Sequence, residues 1–219
     1  MKNFVSVGSY TWQYQSEPHA VISGASGSGK SFLLHAVIHE LKNVAKPENI
    51  IVCDCKFSTM KKVSEQIFQL PNVAKNIADV KKIIDDLEQE MERRYTVGDF
   101  KETTFLVIDE FACMRLIIDK KEFDKIDRQL KHLILKSREA NIFIIIGMQQ
   151  PNSQDLPTSL RDSIGLKIGL KNLSSECFKM LFNRHQTSEY LEHKETGEGY
   201  IQISGGQILP FVSPYVEID

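Results

Sequence analysis

Eight consecutive residues, Gly24-Ala25-Ser26-Gly27-Ser28-Gly29-Lys30-Ser31, constrain this chain more than any other stretch. They satisfy the Gly-x-x-x-x-Gly-Lys-Ser pattern in full and lie between a β-like run, Ala20 to Ser23, and an apolar helical segment. Glycines at these spacings let successive backbone N–H groups converge on the β- and γ-phosphates of a nucleotide. The helix N-terminus adds its dipole, Lys30 a point charge and Ser31 a hydroxyl suited to Mg²⁺. A flexible glycine-serine linker has a similar composition but no reason to carry a strand before it and a helix after it. The predicted ATP-contacting residues are Gly24, Ala25, Ser26, Gly27, Ser28, Gly29, Lys30, Ser31 and, on the first turn of the helix, Phe32.

The second informative stretch is Phe105-Leu106-Val107-Ile108-Asp109-Glu110. It is a continuous apolar strand that delivers two carboxylates at its C-terminal end, where an open parallel sheet binds its ligands. Asp109 is expected to hold the Mg²⁺ that bridges the phosphates, and Glu110 to polarise the attacking water. Two adjacent carboxylates favour hydrolysis over transfer to another acceptor. Gln149, just after a later apolar strand, stands where an amide reaches the γ-phosphate or the lytic water. Gln150 is its neighbour, so that assignment depends on register.

Between these motifs the chain alternates strand and helix. A short hairpin is predicted over Phe4 to Val7 and Tyr10 to Tyr14, turning at Gly8-Ser9 with Trp12 free to pack on the main body. Further strands are expected at Asn49 to Cys53, Ile142 to Ile146 and Leu166 to Leu170, and helices from Lys30 to about Val44, Ile77 to about Tyr95, Phe123 to Asn141 and Ser174 to Phe182. Gly199 to Ile203 and Gln207 to Phe211 read as a terminal hairpin around Gly205-Gly206. This is the grammar of an α/β fold with a mainly parallel central sheet. At 219 residues and 42% hydrophobic content the chain has material for one substantial core. The reading is one domain, a hairpin appendage at 1–17 followed by a core at 18–216.

Charge narrows the options only weakly. The net formal charge of −2 carries no whole-chain signature of nucleic-acid binding, so any polyanion contact must be local. Lys56, Lys61, Lys62, Lys120, Lys121, Lys125 and Arg128 are the candidates, each interleaved with acids. No apolar run approaches the ~20 residues that span a bilayer. The four cysteines form no paired metal pattern, and Cys53 and Cys55 read as small buried residues. The expected compartment is the cytoplasm.

Taken together, these motifs resemble the FtsK/SpoIIIE family of motor ATPases. Pro18-His19 precedes the first core strand as Pro-His often does in that family. Cys53-Asp54-Cys55-Lys56 stands where the family has Asp-Pro-Lys. Ser137-Arg138-Glu139-Ala140-Asn141-Ile142 is similar to its Arg-x-Ala-Gly-Ile, and Met148-Gln149-Gln150-Pro151 to its Thr-Gln-Arg-Pro. Leu156-Pro157-Thr158-Ser159-Leu160-Arg161-Asp162 and Gly197-Glu198-Gly199-Tyr200 match later segments, so the likeness covers residues 18 to 216. Met148, Gln150, Asn141 and Cys55 depart from the pattern.

The resemblance implies a RecA-like P-loop NTPase, Mg²⁺-dependent ATP hydrolysis and a homo-oligomeric ring, usually a hexamer, in which a neighbour's arginine completes each ATP site. Arg161 and Arg138 are the candidates here, with Lys167 behind them. In most of the family the ring drives double-stranded DNA; the small form and the Leu-Pro-Thr-x-x-Arg-Asp segment look most like conjugative-element and plasmid members. A type VII secretion branch engages proteins instead, and a nucleotide-dependent switch is a third reading. Family members commonly carry an N-terminal membrane region, so the resemblance also implies a place at the inner face of the membrane, through such a region or a membrane-anchored partner.

Overall fold

The computed structural model describes residues 2–57, 59–186, 190 and 193–216. Its described strands are β1 (Val5–Val7), β2 (Tyr10–Trp12), β3 (Ala20–Ser23), β4 (Ile50–Asp54), β5 (Asn72–Val73), β6 (Thr104–Asp109), β7 (Ile142–Met148), β8 (Leu166–Leu170), β9 (Glu198–Ile203) and β10 (Ile208–Val212). The main helices are α1 (Lys30–Leu41), α2 (Thr59–Lys62), α3 (Ile77–Val97), α4 (Lys120–Lys136), α5 (Thr158–Arg161) and α6 (Ser175–Phe182).

β1 and β2 pair with each other, and the remaining strands form one sheet in the order β10-β9-β8-β3-β7-β6-β4-β5. Every pairing from β8 through β5 is parallel, and β9 and β10 are added antiparallel. The expected terminal hairpin therefore exists and extends the sheet.

Strands buried on both faces need apolar residues at every position, with successive side chains pointing to opposite sides. In β6, Leu106 and Ile108 face α3, α4 and α6, among Val80, Ile84, Phe123, Leu130 and Phe178. Phe105 and Val107 face α1 and the N-terminal hairpin, among Leu34, Ile38, Trp12 and Tyr14. The result is a three-layer α/β/α arrangement. Trp12 and Tyr14 are buried, and the Tyr14 ring meets Phe105 and Phe143 edge-on at 5.1 and 4.9 Å between centroids.

Helix boundaries follow their caps. Asn76 accepts from the Asp79 backbone N–H and Gly98 closes α3 at φ 67°; Asp119 accepts from the Glu122 N–H at the start of α4. α4 stops at Lys136, not at Asn141 as the apolar spacing predicts. The chain must reverse into β7 within five residues, and it does so with the Ser137 hydroxyl donating to the Ile142 carbonyl and Asn141 at φ 59°. Asparagine is among the residues other than glycine that best tolerate that conformation. The asparagine that departs from the family's glycine thus suits the left-handed backbone.

Candidate nucleotide site

Parallel alignment of β3, β6, β7 and β4 brings the sequence motifs to one edge. Ser23 is level with Met148, Asp109 with Gly147, and Asp54 with Asp109. The loop after β3, the carboxylates ending β6 and Gln149 after β7 therefore meet at the C-terminal edge of the sheet.

Gly27 and Gly29 sit at φ 74° and 90°, conformations that only glycine adopts cheaply, and Gly29 is the N-cap of α1. Ala25, Ser26, Gly27 and Ser31 are exposed along the loop, while Ser28 and Lys30 are buried. Phe32, included from the sequence, is 64% exposed and turns outward from the first helical turn. The Ser28 hydroxyl is buried without a hydrogen-bond partner. Lys30 Nζ pairs with Asp109 Oδ1 and lies 3.6 Å from Glu110 Oε2.

Glu110 is 7% exposed and held from several sides. Its backbone N–H donates to the Gly147 carbonyl at 2.9 Å, and its Oε1 accepts from the Gln149 N–H at 3.3 Å. Its φ of 54° turns the chain out of β6 into a 3₁₀ helix, Phe111–Leu116. That helix is tied down by Arg115, which pairs with Asp155 and lies over the Phe123 ring at 4.7 Å. Gln149 is half-buried beside Glu110, and Gln150 is exposed.

An exposed glycine-lined loop, an orphaned buried hydroxyl, a buried lysine and a carboxylate that neutralises it form a set that suits a triphosphate and Mg²⁺. Mg²⁺ in such sites takes one or two side-chain oxygens plus phosphates and water, and Ser31 and Asp109 are the oxygens present. Among the described residues no cluster of three or more His, Cys, Asp or Glu forms a stand-alone metal site. The four cysteines are free, and burial pushes the Cys53 and Cys55 thiols well above their usual range.

Several contributors escaped the sequence reading. Thr196 donates its hydroxyl to the Gly27 carbonyl at 3.0 Å, and the Gly197 N–H donates to the Ser28 carbonyl at 2.9 Å. The turn before β9 thus clasps the phosphate loop from outside. A side chain at Gly199 would overlap the Gly169 carbonyl, and one at Gly147 would overlap the Asp109 carboxylate. The Gly-x-Gly spacing at 197–199 was the available signal.

Arg161, Arg138 and Lys167 lie elsewhere. Arg161 ends α5 and Arg138 follows α4, so both sit at the strands' N-terminal edge, opposite Lys30. They line an open cleft of about 640 Å³ with Lys167 and Arg184. Arg161 donates to the Thr158 hydroxyl at 2.6 Å and the Met180 carbonyl at 3.3 Å; Arg138 donates to the Gln15 carbonyl at 2.9 Å. His19 immediately precedes β3 at the same edge, its Nδ1 accepting from the Ile144 N–H at 3.0 Å, and burial lowers its pKa to about 4.

The FtsK/SpoIIIE family model matches residues 2–171. The Ftsk domain-containing protein YdcQ of Bacillus subtilis is 25% identical over 94% of this chain and 45% of its own length. ESX-1 secretion system protein EccCa1 of Mycobacterium tuberculosis is 21% identical over 93% of the chain and 31% of its own. This chain therefore spans less than half the length of either curated relative. The solved structure of the pCW3 conjugation coupling protein TcpA with ATPgS superposes with a TM-score of 0.80 at 19% identity, covering 98% of this chain and 66% of that one.

Proposed function

This chain belongs to the FtsK/SpoIIIE family of P-loop ATPases, and we propose that it is the motor domain of an ATP-driven double-stranded DNA translocase serving conjugative or plasmid transfer. The observation that carries the reading is the convergence of Lys30, Asp109, Glu110 and Gln149 at one sheet edge beside the phosphate loop. Lys30 exchanges its pairing with Asp109 for the β- and γ-phosphates, and the loop N–H groups bind the same oxygens. Ser31 and Asp109 would hold Mg²⁺, which would supply charge neutralisation on the phosphates. Glu110 accepts a proton from the attacking water, and Gln149 reads the γ-phosphate from the strand beside it.

The DNA assignment is supported by the likeness to a conjugation coupling protein, since conjugation is transfer of DNA between cells. In this reading the active form is a homo-oligomeric ring, a hexamer. Arg161, with Arg138 beside it, reaches a neighbour's ATP from the opposite edge. Among the described residues no helix is long and apolar enough to cross a membrane, so attachment to the inner face of the cell membrane would come through a partner or a further segment. The match to a secretion protein favours a second reading, in which the same motor engages exported proteins.

Steady-state ATP hydrolysis with no polymer, duplex DNA, single-stranded DNA and a candidate export peptide separates these. Stimulation by duplex DNA that weakens with salt supports the translocase. Stimulation by peptide alone transfers the assignment to export. Nucleotide binding without stimulated turnover in a demonstrated ring leaves a switch.

A further inference from the structure

Lys56 was one of several lysines eligible to touch a polymer; the structure gives it a specific partner. Its Nζ lies 3.6 Å from Glu110 Oε2, the same oxygen that Lys30 Nζ approaches at 3.6 Å. That oxygen is buried and accepts no hydrogen bond, while Oε1 is held by the Gln149 N–H. Two ammonium groups therefore confront the one carboxylate oxygen free to meet a water. Once Lys30 turns to the phosphates, Lys56 is the cation that remains.

The loop presenting Lys56 is built for the purpose. Asp54, 1% exposed at the end of β4, accepts from the Lys56 N–H at 3.0 Å through Oδ1 and from the Lys61 N–H at 3.3 Å through Oδ2. Phe57 stands at φ 52°, turning the chain sharply after Lys56. The Lys56 side chain is nevertheless 38% exposed, whereas that of Glu110 is 9% exposed. One end of this ion pair is buried beside the reacting groups and the other is open to solvent, with Lys61 and Lys62 close in sequence to add positive charge.

We propose that Lys56 is a positioning residue that holds Glu110 in a resting pairing, and that the phosphate backbone of duplex DNA releases Glu110 by drawing the ammonium away. The inference rests on the reading of Glu110 as the base and adds the regulation of that base. An oxygen turned toward an ammonium is poorly placed to accept a water proton. An exposed lysine is the kind of group that phosphates recruit by charge, whatever the base sequence.

The test is steady-state ATP hydrolysis by the chain and its Lys56→Ala, Lys56→Arg and Glu110→Gln variants, with and without linear duplex DNA. Lys56→Ala should raise the DNA-free kcat about two- to fivefold, the range of one partly exposed ion pair. The KM for ATP should not move, and DNA stimulation should fall by the same factor. Lys56→Arg, which keeps the charge, should restore both rates. A Lys56→Ala variant with parental or lower DNA-free turnover overturns the inference. A raised DNA-free rate in a chain that DNA does not stimulate overturns duplex DNA as the releasing ligand. Absent hydrolysis in the parent, or parental turnover in Glu110→Gln, overturns the underlying reading instead.

Discussion

The two edges of the central sheet are made by the same strands, yet they treat buried charge in opposite ways. At the C-terminal edge buried charge is compensated: Lys30 meets Asp109 and Glu110, the partly exposed Lys56 meets Glu110, and Asp54 accepts from the Lys56 and Lys61 N–H groups. At the N-terminal edge Lys167 is 6% exposed and its side chain makes no hydrogen bond or ion pair among the described residues, and His19 is kept neutral by burial. Charges that already neutralise one another can exchange partners when a charged ligand arrives. A buried cation without a hydrogen-bonded or ion-paired partner has nothing to exchange, so it either costs stability or awaits a partner from outside. The first edge is organised for chemistry within the chain; the second answers to its surroundings.

The largest expected effects should divide the edges. Glu110→Gln should retain nucleotide and lose hydrolysis by about 10²- to 10⁴-fold, the range of a general base, as checked by fluorescent-nucleotide titration beside phosphate release. Arg161→Ala should act only on the part of the rate that grows with protein concentration. A dilute-chain rate that falls equally in both variants would erase the distinction.

The legibility of the two edges differed for a related reason. The phosphate loop, Asp109-Glu110 and the strands behind them depend on contiguous residues whose backbone demands are local, and glycine, lysine and apolar runs announce them. Gln149 was readable to within one register because β7 is uninterrupted. What escaped was held by contacts distant in sequence. Arg94 is 4% exposed and donates to the Glu102 and Ala140 carbonyls and the Thr104 hydroxyl, pinning α3 to two later segments. The two-residue strand β5 has meaning only beside β4. The Thr196–Gly197 clasp joins residues about 170 apart. Of these only the clasp leaves a trace, the Gly-x-Gly spacing at 197–199; Arg94, β5 and the cleft around Arg161 leave none.

His19 gives the next-largest effect and concerns stability. Its pKa falls from 6.5 to about 4 on folding because burial disfavours the cation. Between those values the unfolded chain binds the proton more readily, so the contribution is whole above pH 6.5 and is lost as pH falls toward 4. At 1.36 kcal/mol per unit the loss reaches about 3 kcal/mol. His19→Gln keeps an acceptor for the Ile144 N–H and removes the titration. Urea midpoints at pH 7 and 4.5 should therefore converge in the variant relative to the parent, even if strain at φ 59° lowers both. An unchanged slope would show that His19 is not what makes this edge acid-sensitive.

Gly147→Ala probes the opposite edge through packing. The added methyl would overlap the Asp109 carboxylate and lie 3.0 Å from Leu34 Cδ1. Overfilling a tight site costs about 1–3 kcal/mol, and here the displaced group is the proposed metal ligand. Denaturation should show that loss, and hydrolysis should fall at sub-saturating Mg²⁺ more than at saturating Mg²⁺. A stability loss without any change in Mg²⁺ dependence would separate Asp109 from the metal.

Lys167 offers the smallest effect and the sharpest statement about the second edge. It pairs in register with Gln202 across β8 and β9, yet no side-chain hydrogen bond joins them, and the Gln202 Oε1 is itself buried without a partner. Desolvation lowers the Lys167 pKa, with the Asp162 charge opposing it and the Arg161 charge adding to it. At neutral pH the ammonium is therefore buried at a cost, one that lessens as rising pH removes the proton. Replacing a buried charge that makes no side-chain hydrogen bond or ion pair by an apolar side chain of similar length should recover about 1 kcal/mol, so Lys167→Met should unfold at higher urea than the parent at pH 7. The gain should shrink toward pH 10 as the parent's lysine deprotonates. If the variant is instead less stable, the ammonium has a compensating contact, and the contrast between the edges fails. If it is more stable but loses the concentration-dependent rate, the unpaired charge serves an assembly contact, and the instability is the cost of that contact.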